Sequence, residues 1–223
     1  MTITELGTVA KANGFILSEL QLQKLSQYAE LLRAKNQVVN LISRKDEENI
    51  LSKHILHSLT LIFPDVSLAG IPTNARVFDL GTGGGLPGIP VAIARDDLRV
   101  TACDSIGKKI AAVSEMAQAL GLSRFAAITG RAEDLARSKE HRNAYDCIIT
   151  RAVAPLDELM KWTCDLLKKG GTLLALKGGD LSEETQRAKQ LKFVRHIEEN
   201  ILTLTGFDEF ALEEKKIVRV TVI

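Results

Sequence analysis

Residues Ala75–Gly88 read ARVFDLGTGGGLPG. An apolar run ends in Asp79, glycines follow at 81, 83, 84, 85 and 88, and Pro87 opens the next helical segment. A buried strand therefore delivers the chain to a turn where a ligand can approach bare backbone. The helix behind that turn offers unpaired N–H groups to something negatively charged. This pattern predicts a cradle for a nucleotide-like cofactor.

Outward from the loop the chain alternates between strand and helix. Strand 76–80 leads to a helix from Pro87, strand 99–103, and helix 108–120 with Gly121 as its stop. Strand 125–129, a short helix near Glu133, and strand 146–150 follow. Helix 155–168, Gly170-Gly171, strand 172–176 and helix 182–192 complete the repeat, ahead of two β-like stretches at 194–204 and 216–223. Repeated βα units predict an α/β fold: a doubly wound, Rossmann-like, mostly parallel sheet with an antiparallel C-terminal strand. In such sheets ligands bind beyond the carboxyl ends of the strands, where strand order reverses.

Residues 1–74 differ. Leu17, Leu20, Leu22, Leu25, Leu31 and Leu32 recur near helical spacing, with Ser18 as the expected N-cap. A second helix is expected over 46–62, with Ile50, Leu51, Ile55, Leu59 and Ile62 on its apolar face and Pro64 ending it. The division expected is a helical region, 1–74, packed on a cofactor-binding domain, 75–223.

Composition narrows the function classes. A chain of 223 residues suits one domain with a small appendage. Aromatic residues make up 4% with Trp162 the single tryptophan, so base-stacking platforms are not the expected recognition mode. Net charge is +1, so nucleic-acid phosphates would have to be met by a local patch. Cys103, Cys147 and Cys164 are odd in number and far apart, which suits a reducing cytoplasm rather than disulfides or a metal site. No segment approaches the roughly twenty apolar residues of a membrane span.

The loop holds a G-x-G-x-x-G register at 83–88, with Asp104 about twenty residues on, as in dinucleotide sites. Two features point elsewhere. Asp79 ahead of the loop would repel a pyrophosphate but suits a cofactor bearing an ammonium group, such as S-adenosylmethionine. The run LLKKGGTLL at 166–174 resembles the late segment of class I methyltransferases. Asp104 is then placed to accept from both ribose hydroxyls, or alternatively to cap the helix that follows. Arg131-Ala132-Glu133 is placed to frame the adenine, with a first-turn helix acid as the other reading of Glu133.

The acceptor follows by elimination. After the fourth strand the chain reads Thr150-Arg151-Ala152-Val153-Ala154-Pro155, with neither a cysteine beside proline nor an Asn/Asp-Pro-Pro-aromatic segment. Cys164 on the next helix, beside Trp162 and Leu166, is expected in the core. An acceptor that is already nucleophilic, such as guanine N7, needs no general base. Alignment and exclusion of water then carry catalysis. Arg151 is the residue expected near the methionine moiety or the incoming nucleotide, a phosphate-pairing arginine being the other reading.

The blocks DLGTGGGLPGIPVAIA, CDSIGKKIAAV, GRAEDL, ITRAVAPL and LLALKG, with NQVVNLISRKDEENILSKHILHSL upstream, resemble successive segments of the RsmG (GidB) family. The resemblance covers about residues 30–180. It implies a class I methyltransferase fold and methylation of guanine N7 in the decoding-region loop of bacterial 16S rRNA, within the small ribosomal subunit or its precursor. It implies cofactor contacts at Gly81, Leu86, Asp104, Ser105, Ala132, Glu133 and Arg151, with Lys177 facing the RNA; the reading of the loop itself adds Asp79 and Gly83 to the cofactor site. This chain departs from the family pattern at His57, where an aspartate is common.

His54 and His57 stand three apart without a third ligand at useful spacing, so interface or surface histidines are expected rather than a metal pair. Arg44, Lys45, Lys53 and His54 are candidates for an RNA-facing surface; Arg187, Lys189, Lys192 and Arg195 suit a solvated helix face. The expected protein is a cytoplasmic, monomeric rRNA methyltransferase. The rivals are a small NAD-dependent oxidoreductase and a non-catalytic ribosome-assembly factor.

Overall fold

The computed structural model describes residues 1–66 and 70–223. Seven strands form one sheet in the order β3-β2-β1-β4-β5-β7-β6. They are β1 (Arg76–Leu80), β2 (Arg99–Asp104), β3 (Phe125–Thr129), β4 (Tyr145–Arg151), β5 (Leu167–Gly178), β6 (Val194–Ile201) and β7 (Lys215–Val222). All pairings from β3 to β5 are parallel, while β7 runs antiparallel to both β5 and β6. Strand order reverses between β1 and β4, so the crevice at their carboxyl ends is the expected place for a ligand.

Helices cover both faces: α4 (Gly88–Ala94) and α5 (Gly107–Ala119) follow β1 and β2, and α6 (Ala132–Leu135) follows β3. The later ones are α7 (Leu156–Thr163), α8 (Ser182–Lys189) and α9 (Glu209–Leu212). The strands are buried on two sides, as a parallel sheet requires. Val77, Ile149 and Leu174 enter one apolar cluster, and their neighbours Phe78, Ile148 and Leu173 the other.

The first cluster also takes in the N-terminal helices α1 (Ile3–Ala12) and α2 (Glu19–Asn36), through Leu6, Leu25, Tyr28 and Leu32. Ser18 caps α2 as expected, in a box with Gln21. Specific polar ties fix where these helices sit. The Tyr28 hydroxyl donates to the Gly84 carbonyl at 2.9 Å, inside the glycine loop. Asn13 donates to the Thr205 carbonyl at 3.1 Å and accepts from its N–H at 2.9 Å.

Two elements depart from the periodicity. Helix α7 stops at Thr163, and residues 167–171, expected partly as helix, belong to β5. The β4–β5 register jumps from Tyr145↔Leu167 to Cys147↔Thr172, with Gly170 in a left-handed turn between them. Pairing with β4 overrides the helical preference of Leu-Leu-Lys-Lys. Segment 44–62 is helical but not one amphipathic α-helix. It comprises a 3-10 turn (Arg44–Asn49), a π stretch (Ile50–Leu56), a turn of α-helix, α3 (His57–Leu59), and a second 3-10 turn (Thr60–Ile62). From Ser52 to Phe63 only Lys53 is not buried, so His54 and His57 are interior residues rather than surface ones.

Among the described residues no helix is long and apolar enough to cross a membrane. Tyr28→Phe tests how the N-terminal helices hold the loop. Removing the hydroxyl leaves the Gly84 carbonyl without this donor and costs about 1–3 kcal/mol. The melting temperature should fall by roughly 2–4 °C per kcal/mol in a chain of this size. An unchanged melting temperature would show that the bond contributes nothing.

Candidate cofactor and substrate site

The glycine loop is folded around a buried carboxylate. Asp79 is fully buried at the end of β1, and its Oδ2 accepts from the Thr82 hydroxyl and, at 3.0 Å, from the Gly88 N–H. A Cβ at Gly88 would fall on that carboxylate. Gly81 has φ +68°, and a Cβ there would meet the Val153 side chain at 2.5 Å. Asp79 Oδ1 has no donor. Burial pushes the Asp79 carboxyl up to about 7, against the two hydrogen bonds to Oδ2 and the charge of Arg151.

Asp104, at the end of β2, braces the other side of the loop. Its Oδ2 accepts from the Gly83 N–H at 3.1 Å and its Oδ1 from the Ile106 N–H at 2.9 Å. It therefore does not cap α5, whose N-cap is Ile106 with no side-chain bond.

Two cavities open along this edge of the sheet. The smaller, of about 330 Å³, is lined by Gly81, Cys103, Asp104, Ser105, Arg131, Ala132 and Glu133, and closed by Val153 and Trp162. The larger, of about 870 Å³, lies between segment 44–62 and strands β5 and β7. Its walls include Asp46, Lys53, His54, His57, Arg151, Lys177, Glu184, Phe210 and Lys215. Residues 151–153 divide them: Arg151 and Ala152 line the larger cavity and Val153 the smaller. Ala152 makes this possible with φ +53°, a left-handed backbone that a residue bearing Cβ adopts at a cost of about 1–3 kcal/mol.

The expected residues distribute unevenly. Gly81, Asp104, Ser105, Ala132 and Glu133 meet in the smaller cavity, with Glu133 in the first turn of α6. Arg151, Lys53, His54 and Lys177 meet in the larger one. Asp79, Gly83 and Leu86 line neither. Asp79 is sealed inside the loop by its own hydrogen bonds, and Gly83 braces Asp104. Leu86 is 3% exposed and packs into the cluster beneath the N-terminal helices. Its side chain is a core side chain, so any cofactor contact there would come from its backbone.

Lys177 does not point freely outward. Its Nζ donates to the Ala154 carbonyl at 2.7 Å and to Glu184 at 2.6 Å. Arg151 donates from Nη1 to the Lys53 carbonyl at 3.2 Å and bonds His54 Nδ1 at 2.7 Å. Arg44 is exposed, outside the cavity walls. Among the later cations, Arg187 pairs with Asp157 at 3.2 Å. Cys164 is half-buried just past α7, while burial pushes the Cys103 and Cys147 thiols up to about 12.

Sequence reasoning missed Val153, Trp162, Asp46, Glu184 and Phe210. Trp162 carried a usable signal, since α7 begins directly after the divider and turns one face back over the loop. Phe210 and Glu184 carried none, because only the tertiary fold brings their elements to this edge. Among the described residues no cluster of three or more His, Cys, Asp or Glu is arranged for a metal ion.

The Asp79 carboxyl makes a pH-dependent contribution whose sign is fixed. Its folded value lies above the unfolded one, so the folded protein holds the extra proton between pH 4 and about 7 and loses stability as pH rises through that window. Asp79→Asn cannot ionise. Its melting temperature relative to the parent protein should rise between pH 5 and pH 8, by roughly 2–4 °C per kcal/mol. A difference that stays constant with pH would mean the carboxylate is charged throughout.

Comparison with known proteins bears on this geometry. Residues 21–209 match the model of the GidB family, described as rRNA small subunit methyltransferase G. A ribosomal RNA small subunit methyltransferase G of Chlorobium phaeobacteroides is 41% identical over 187 residues, covering 83% of this chain and 80% of that protein. Among solved structures, a predicted O-methyltransferase from Agrobacterium tumefaciens superposes with a TM-score of 0.57 at 14% identity, over 76% of this chain and 80% of its own. A SAM-dependent methyltransferase from Aquifex aeolicus gives 0.53 at 15% identity, over 86% and 98%. These structures share the fold, a class I methyltransferase sheet with β7 reversed beside β5; the sequence match reaches further, and the chain belongs to the GidB family of rRNA small subunit methyltransferases.

Proposed function

We propose that this protein transfers a methyl group from S-adenosylmethionine to N7 of a guanine in small-subunit rRNA. The observation that carries the reading is the pair of cavities meeting at residues 151–153. A group-transfer enzyme needs a donor site and an acceptor site that touch at one point, and here they touch at the carboxyl ends of β1 and β4.

The donor fits the smaller cavity. Its wall presents the Asp104 and Glu133 carboxylates with one cation, Arg131, a poor environment for a pyrophosphate and a good one for ribose and adenine. Asp104 takes the ribose hydroxyls, and Ala132 and Glu133 take the adenine edge, while Ser105, exposed beside them, borders the ribose. Gly81 lets the methionine portion pass close to bare backbone. Asp79 lies one layer behind and contributes charge rather than contact: a cation at Gly81 favours its ionised form. When bound, the cofactor supplies an electrophilic methyl on sulfonium.

The acceptor enters the larger cavity. Guanine N7 brings its own lone pair, so no side chain has to remove a proton. Arg151 orients the base, its guanidinium donating to an oxygen such as O6 and leaving N7 free to face the divider. Lys53, Lys177 and the exposed Arg44 serve the surrounding RNA. With a net charge of +1 the chain supplies little long-range attraction of its own. The reading therefore takes the assembled small subunit or its precursor as substrate, met by a monomer in the bacterial cytoplasm.

Trp162 is the single tryptophan and lines the donor cavity, so its fluorescence should change on titration with S-adenosylmethionine and stay flat with NADH. A response to NADH alone would overturn the cofactor assignment. Labelled methyl should appear at guanine N7 of small-subunit rRNA, faster on subunits than on deproteinised RNA; label elsewhere refutes the acceptor. Arg151→Ala should slow transfer by about 10²-fold. A rate within two- or threefold of the parent would remove Arg151 from the site.

A further inference from the structure

His54 is 7% exposed, and its Nδ1 lies 2.7 Å from Arg151 Nη1. A guanidinium has donors only, so Nδ1 must be the acceptor and the single ring proton must sit on Nε2. Asp46 Oδ2 is 3.9 Å from Nε2, too far for a hydrogen bond, and Nε2 has no hydrogen-bond partner among the described residues. The same Arg151 nitrogen donates to the Lys53 carbonyl at 3.2 Å. Lys53 and His54 are consecutive residues of the π stretch, and a carbonyl has a second lone pair to offer a guanidinium beside any helical bond it accepts. Both acceptors that hold Arg151 therefore belong to segment 44–62, and both are neutral.

We propose that His54 is a positioning residue: a neutral ring whose Nδ1 fixes Arg151 at the wall between the two cavities. The proposal rests on Arg151 being the residue that orients the acceptor base. It assigns the π stretch a task, namely presenting one ring nitrogen and one carbonyl to the same guanidinium. It also ties the arginine to the stretch of chain that carries Arg44 and Lys53, so the acceptor site and the RNA-facing segment move as one body.

The electrostatics agree with the geometry. Burial, with Arg151 next and Lys53 a smaller contribution, lowers the His54 ring to about 4, while Asp46 opposes them. His57, 6% exposed and tilted against Phe210 with ring centroids 5.0 Å apart, is itself held well below its ordinary value by burial, Arg151 and Lys215. It adds no second positive charge. The folded chain thus binds fewer protons here than the unfolded one, and the stabilisation is present above pH 6.5 and lost as pH falls toward 4. Protonation at Nδ1 would turn the acceptor into a donor facing a guanidinium, and Arg151 would leave the wall.

The chain has four histidines, so a nitrogen-15 spectrum of the histidine-labelled protein is simple enough to assign. His54 should be neutral with its proton on Nε2 at pH 7 and remain so at pH 5. A proton on Nδ1, or a charged ring at either pH, overturns the proposal. Kinetics supply the second readout. His54→Leu should lower kcat/KM for methyl transfer roughly 10–100-fold, with cofactor affinity by Trp162 fluorescence within about threefold of the parent protein. His54→Asn, whose Oδ1 can stand in for Nδ1, should recover most of that loss. In an Arg151→Ala background His54→Leu should cost nothing more, since its effect runs through the arginine. Additive losses, or an asparagine variant as slow as the leucine one, would show a merely structural histidine. If the parent protein methylates no RNA at all, the proposed function fails while the spectrum still decides the ring's state.

Discussion

The architecture of this edge of the sheet depends on one buried carboxylate. Asp79 closes the turn between β1 and α4 from inside, receiving the Thr82 hydroxyl and the Gly88 N–H on a single oxygen. It acts together with the Asp104 brace on Gly83 and the Tyr28 bond to Gly84, in a loop whose Gly81, Gly83 and Gly85 all adopt positive φ and have many alternatives in the unfolded chain. The clamp works at the expense of desolvating an acid, which is why the carboxyl sits near 7 with one oxygen unmatched. A buried polar group left short of partners is uncommon in a folded protein and is tolerated where function profits from it. In the function proposed above, that carboxyl lies one layer behind the site of a cationic ligand.

The N-terminal helices complete what the clamp begins. Tyr28 reaches the Gly84 carbonyl from α2, and Gln21 reaches the Ala94 carbonyl at the end of α4. Segment 44–62 then sets the buried His54 against Arg151, the last residue of β4. The helical region is thus a wall of the acceptor cavity as well as a cover for the sheet. Its irregular hydrogen bonding suits that position. Lys53 and His54, consecutive in the π stretch, offer Arg151 a carbonyl and a ring nitrogen side by side.

Much of this was legible from the residues, for reasons that can be named. Strands β1 and β3 were read with their final bounds because a short apolar run between turn signals has one solution in a βα repeat. Asp104, Ala132 and Glu133 were legible because they follow strand ends, and strand ends are where this topology puts ligands. For Leu86, a motif position does not reveal whether a side chain or only its backbone faces the pocket. His54 was hidden for a different reason. Three-residue spacing on an apparent amphipathic helix looks like a polar stripe, and only the packing of that segment against α1 and α2, with Arg151 at its side, makes it interior. The start of β5 was hidden since Leu-Leu-Lys-Lys prefers helix locally, and pairing with β4 is a long-range term that no window contains.

The two cavities also differ in charge, and the difference follows the chemistry proposed for them. Around the loop, Asp79, Asp104 and Glu133 leave the donor side acidic, which favours a ligand carrying positive charge. The acceptor side is balanced: Lys53, Arg151, Lys177 and Lys215 face Asp46, Asp180, Glu184 and Glu213. A balanced wall with Phe210 and Leu176 among its members suits a base, which has donors, acceptors and an apolar face, better than it suits a phosphate. Methyl transfer moves one positive charge from sulfur to the base, out of the acidic cavity and into the balanced one. The charge need travel no farther than the 151–153 divider. Because no proton has to leave the acceptor, the protein's contribution reduces to holding two ligands in line across that divider, and the placement of Arg151 by two neutral acceptors is what keeps the line fixed.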